Sequence, residues 1–185
     1  MEFKEIITLV VSSSVLSAVL TISFNFVISN INYKREYYKK IIERRINAQD
    51  KAIALTNEIR TQIKLTNGPL CNKICASGEE YLKSFVISLP ETVNHSLWLS
   101  NKLADIILEF NVFIYNEILA EIKGDKQDER DDSLIEIGLR NHEKIRNFRF
   151  QIERQLMYDF AKLDNVRSFV KEKQNFKDKK YWLKN

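Results

Sequence analysis

Between Glu5 and Lys34 the chain carries no charged side chain, and the run from Ile6 to Ile28 reads IITLVVSSSVLSAVLTISFNFVI. As a helix this run is about 34 Å long, at about 1.5 Å per residue, enough to cross a hydrocarbon core of about 30 Å. The expectation is one transmembrane helix. A cleaved signal peptide asks instead for a basic leading segment, an apolar core of about 7 to 15 residues and a small-residue cleavage site. Here the leader is MEFKE, the apolar run is longer, and the residues that follow are aromatic and basic. Lys34, Arg35, Lys39, Lys40, Arg44 and Arg45 lie just beyond the span, whereas Glu2 and Glu5 outweigh Lys4 before it. Because Lys and Arg are retained on the cytoplasmic side, the expected topology is N-terminus outside and the C-terminal domain inside, at a cell inner (plasma) membrane.

Within the span Ser13, Ser17, Thr21 and Asn25 recur every fourth residue, with Ser14 and Ala18 alongside. That spacing places small polar groups on one helix face, the pattern that lets two helices approach closely in lipid and hydrogen-bond across the contact. A transmembrane association face is the expected role. The competing reading is that each hydroxyl bonds back to the carbonyl one turn earlier. No ionisable group in the span marks an ion path.

The whole chain is 29% charged, with only 4 Gly and 2 Pro, and the part beyond the span is long enough to bury one core. Residues 34–45 and 171–185 each carry six basic and two acidic residues, so the basic surplus sits in one segment after the span and one tail. A nucleic-acid footprint wants a basic stripe across a folded face, and none is expected here. Anionic lipid needs only Lys and Arg near the surface. The six cations from Lys34 to Arg45 are therefore the expected headgroup contacts, the lipid bilayer being the expected partner. Tyr33, Tyr37 and Tyr38 fit an interfacial aromatic anchor.

Downstream, apolar residues at three- and four-residue steps predict that the first helix continues through Ile41, Ala48, Leu55 and Ile59 and stops at Asn67-Gly68-Pro69. Arg45 and the alanines make a poor coiled-coil seam, so packing inside a bundle is expected. Ser77 and Glu80 predict a capping box for a helix from Gly78 to Leu89, halted by Pro90. Ser100 is an N-cap for a helix over 101–122, apolar around most of its girth, with Lys102, Asp105, Glu109 and Asn116 on one polar stripe. The acidic run Gly124 to Asp132 reads as a loop. Ser133 and Glu136 then cap a last helix from Leu134 to about Lys171. The fold class expected is all-α: one N-terminal transmembrane helix (1–30) continuing into a cytoplasmic antiparallel helical bundle (31–172), followed by a basic aromatic tail (173–185).

Catalytic patterns are missing. No Gly-rich phosphate loop, HExxH, G-x-S-x-G or ExxH pair occurs, so no catalytic residue and no cofactor is expected. Cys71 and Cys75 form a C-x3-C pair, but His95 and His142 stand 47 residues apart, unlike the close second pair of a structural zinc site. They are expected to be reduced thiols, one or both buried.

The uncharged span followed by YKREYYKKIIERRINAQDK, a middle containing HSLWLSNKLADII, and a long final amphipathic stretch resemble small single-pass membrane proteins of bacteria, some encoded in mobile-element or antiphage loci. The resemblance is one of layout and transfers no site residue. It implies a bacterial inner-membrane protein, with antiphage defence as one setting. Together these features point to a membrane-anchored scaffold, adaptor or sensor that self-associates into a homo-oligomer and engages another protein. The alternative is a membrane-perturbing effector that oligomerises through its span.

Overall fold

The computed structural model describes residues 3–66 and 68–174. Contacts divide the chain into two compact units, Met1–Ile41 and Ile42–Asn185. The described residues are predominantly helical: seven α-helices and one two-stranded hairpin.

Helix α1 (Phe3–Arg60) is unbroken because the first Gly and Pro of the chain are Gly68 and Pro69. In the second unit it buries Ala48, Ala52, Leu55 and Ile59, the steps expected from periodicity. It ends earlier than Asn67-Gly68-Pro69. The Thr61 hydroxyl donates to the Asn57 carbonyl at 2.9 Å, and strand β1 (Gln62–Lys64) then pairs antiparallel with β2 (Leu70–Asn72), Ile63 facing Cys71. Gly68 and Pro69 turn this hairpin instead of capping the helix. Asn72, fully inside, joins the pieces: its amide donates to the Ile59 carbonyl at 2.5 Å and accepts from the Ile74 N–H at 3.0 Å. It thus satisfies one orphan group at the end of α1 and one at the start of α2 (Lys73–Ala76).

Helix α3 (Glu79–Asn94) passes through Pro90, where a stop was expected. A proline inside a helix costs roughly 3 kcal/mol, and burial of Leu82, Phe85, Val86, Leu89 and Thr92 on both sides of it offsets that cost. Nor does Ser77 cap this helix. Gly78 adopts φ +85°, and the Glu79 N–H donates to Asp131 at 2.8 Å. The cap comes from a carboxylate 52 residues away, which no local pattern reveals.

Ser100 does cap α4 (Asn101–Phe113), accepting from Leu103 N–H at 3.2 Å. The helix continues as a π-helical turn, Ile114–Ile118, and a 3₁₀ turn, Leu119–Glu121. Leu103, Ile106, Ile107, Phe110, Phe113, Ile114 and Ile118 are buried. Phe110 stands edge-on to Phe85 and to Phe148, with centroids 6.3 and 5.4 Å away.

Three helices replace the single one expected from Leu134 to Lys171: α5 (Gln127–Arg140), α6 (His142–Phe160) and α7 (Val166–Gln174). The acidic run is mostly helix, not loop, because Asp128 and Glu129 in the first turn of α5 favour its positive end. Ser133 is interior to α5, its hydroxyl accepting from Lys123 N–H at 3.2 Å. Neither break carries Gly or Pro; at the first, the Asn141 amide closes α5 by donating to the Ile137 carbonyl at 3.1 Å.

Candidate functional site

In the first unit the candidate surface lies on α1. Ser17, Thr21 and Asn25 are exposed on it, and Ser13 belongs to the helix. The Thr21 hydroxyl donates to the Ser17 carbonyl at 2.8 Å, and that of Ser23 to Val19 at 2.8 Å. Both hydroxyls are therefore satisfied within their own helix. Among the described residues the Asn25 amide has no such partner, which leaves it the strongest unspent donor and acceptor on that face. The surrounding surface is apolar and uncovered: Phe24 is 65% and Phe26 73% exposed. Among the described residues α1 alone is long and apolar enough to cross a membrane.

Beyond that stretch Lys34, Arg35, Lys39 and Lys40 are exposed, and Tyr37 and Tyr38 lie with ring centroids 6.1 Å apart. Arg44 and Arg45 belong to the second unit; Arg44 is exposed like the four before it, and Arg45 is not. The Arg44 guanidinium sits 4.9 Å from the centroid of the Trp98 ring. Arg45, expected among the headgroup contacts, is only 4% exposed. It donates to the Leu163 carbonyl at 2.6 Å and to Lys162 at 3.3 Å, and lies 4.4 Å from the Phe169 ring centroid. Those carbonyls belong to the turn after α6, so Arg45 closes that helix end as a charge-assisted clasp and holds α7 beneath it. Burial lowers its pKa, against the pull of Asp159, Glu172 and Asp164. Arg45, expected to contact lipid headgroups, is instead enclosed by its own protein. A basic residue on an otherwise apolar helical step was the sequence signal that could have revealed it.

The clasp opens onto a buried polar seam. Gln155 donates to Asp159 at 2.8 Å, both nine-tenths buried, and Gln49 lies one turn after Arg45 on α1. Beside it a groove of about 580 Å³ is lined by Ser100, Lys102, Gln151, Arg154, Tyr158 and Glu172, among others. Ser100 serves as a helix cap, and among the described residues its hydroxyl meets the Leu103 N–H and the Gln155 amide, neither of them an acid–base group. His95 and His142 fall on separate elements. Among the described residues no group of three or more His, Cys, Asp or Glu is placed to hold a metal ion.

Cys71 and Cys75 are both free and fully buried, as α5 crosses them. Burial is the main cause that raises the Cys75 pKa from 9.0 to about 12, with the neighbouring Cys71 adding to it. The neutral thiol is thus favoured in the folded chain, and a protonated thiol is a poor nucleophile. In the unfolded chain the thiol ionises near the ordinary value, so its contribution to stability is complete below pH 9 and is lost as pH rises from 9 to 12. Thiol titration at pH 8 is expected to detect neither cysteine in the folded chain and both after denaturation, and urea midpoints should fall as pH is raised above 9.

Comparisons with protein-family models, with curated proteins and with solved structures give no match.

Proposed function

We propose that this protein is a single-pass, membrane-anchored helical scaffold, adaptor or sensor that acts by self-association and protein–protein interaction. In this reading α1 crosses the inner membrane with its N-terminus outside, and residues 31–172 form a cytoplasmic helical bundle. The observation that carries the reading is the uncovered apolar surface of α1. From Val15 to Ile31 every residue is exposed, large aliphatic and aromatic side chains included. Exposed apolar area costs about 25 cal/mol per Å² in water, and hydrocarbon removes that cost. Lys34, Arg35, Lys39 and Lys40 supply the headgroup contacts, each worth about 1 kcal/mol near an anionic leaflet. Arg45 serves the second unit instead, whereas the exposed Arg44 stays with the headgroup contacts of this reading.

Fractionation tests the anchor. The full chain should stay with the membrane pellet after a high-salt wash and leave it only with detergent. A protease added outside intact cells should spare everything beyond Lys34. Recovery in the soluble fraction, or digestion from outside, defeats the proposal.

Self-association rests on Asn25, whose amide remains available while Thr21 and Ser23 bond within the helix. Interhelical polar contacts in lipid contribute roughly 1 kcal/mol each. Ser17→Leu with Asn25→Leu should therefore reduce the crosslinked dimer fraction by about five- to tenfold, while membrane retention is unchanged. An unchanged dimer yield places the contact elsewhere.

A further inference from the structure

The outward face of α4 bears a shallow groove of about 270 Å³, lined among the described residues by Asp105, Leu108, Glu109 and Val112. Asp105 and Glu109 lie one turn apart, as do Leu108 and Val112, so two carboxylates and two aliphatic side chains run side by side along one face. Val112 is 50% exposed. Glu109 has no ion pair among the described residues. An acidic, half-apolar stripe of this kind suits a cationic peptide segment with large apolar side chains.

Such a segment begins beside it. Helix α7 is tied to the start of α4: Glu172 accepts from Asn101 N–H at 2.8 Å, and Lys173 donates to the Asn101 side chain at 2.8 Å and to the Ser96 carbonyl at 3.4 Å. The Asp105 carboxylate is close enough to act on the Lys173 charge. The chain therefore leaves Gln174 at the end of α4 from which the groove runs. Residues 175–185, which lie outside the described residues, read NFKDKKYWLKN, with four lysines, one aspartate and Phe176, Tyr181, Trp182 and Leu183.

We propose that this groove is the docking site for the chain's own C-terminal segment, with Trp182 or Tyr181 on Leu108 and Val112 and the flanking lysines on Asp105 and Glu109. Reach is ample. From Asn101 to Val112 is about 17 Å of helical rise, whereas eleven extended residues span up to about 36 Å. Tethering also favours the contact, because a short linker holds the segment at a millimolar effective concentration. A buried aromatic side chain removes about 150–250 Å² from water, and the lysines add attraction that weakens with salt. The interaction does not depend on the membrane reading.

The chain has two tryptophans, Trp98 and Trp182. Trp98→Phe makes Trp182 the sole reporter in the full chain, reconstituted in nanodiscs of zwitterionic lipid. Acrylamide quenching of Trp182 is expected to be severalfold weaker than in a free peptide of residues 175–185. Val112→Lys and, separately, Glu109→Lys change exposed positions and should restore peptide-like quenching with unchanged circular dichroism. Any of four results overturns the proposal: peptide-like quenching in the parent chain, protection that survives both substitutions, quenching of Trp182 by brominated acyl chains, which puts it in lipid, or protection that disappears on dilution, which puts it on a second copy.

Discussion

Arg45→Ala is expected to destabilise the second unit by about 3 kcal/mol, the scale for removing one member of a buried, charge-assisted set. The alanine leaves the Lys162 and Leu163 carbonyls without their donor and strips the cation from the face of Phe169. It also leaves Asp159 buried with less opposing charge. Arg45→Lys should recover little, because an ammonium cannot spread donors over two carbonyls while lying flat on a ring. Urea unfolding in detergent, followed by circular dichroism, measures the loss. Limited proteolysis should show new cleavage around residues 161–166 as the turn is released. A loss under about 1 kcal/mol would mean that the guanidinium contributes packing only.

Gly138→Ala gives the second large effect, and its sign runs against propensity. In an open helix the change gains about 1 kcal/mol. Here a Cβ on Gly138 would collide with the Cys75 Cβ and stand 3.0 Å from its sulfur and 3.1 Å from that of Cys71. Neither Cβ can rotate away, so α5 must separate from α2, and overpacking of this kind costs about 3 kcal/mol. The net expectation is a loss of about 2 kcal/mol. The partner test is specific: Cys75→Ala keeps the Cβ and should not rescue Gly138→Ala, whereas Cys75→Gly should recover at least about 1 kcal/mol in a double-mutant cycle. If Gly138→Ala stabilises the chain instead, the close approach of these helices is wrong.

Much of this fold is legible along the chain. The unbroken α1 follows from the lack of Gly and Pro before Gly68, and the buried stripe of α4 follows from its apolar steps and the Ser100 cap. These are short-range effects, settled within one or two turns. Other features needed partners remote in sequence. Asp131 caps α3 and displaces Ser77 from that role; Pro90 is carried inside a helix by burial on either side; the expected final helix breaks twice without Gly or Pro. The same division applies to the candidate site. The apolar run and the exposed cations Lys34, Arg35, Lys39 and Lys40 read directly from composition. That Arg45 turns inward did not, since its carbonyl partners lie more than a hundred residues away.

What the sequence alone determined is that the chain is mainly helical and where apolar surface and positive charge concentrate, because helix periodicity and hydropathy act locally. The tertiary structure decided where α1 stops, which remote side chains close the helix ends, and which of six similar cations is buried. Those outcomes depend on desolvation and on backbone groups that need partners, and both are set only when distant segments pack together.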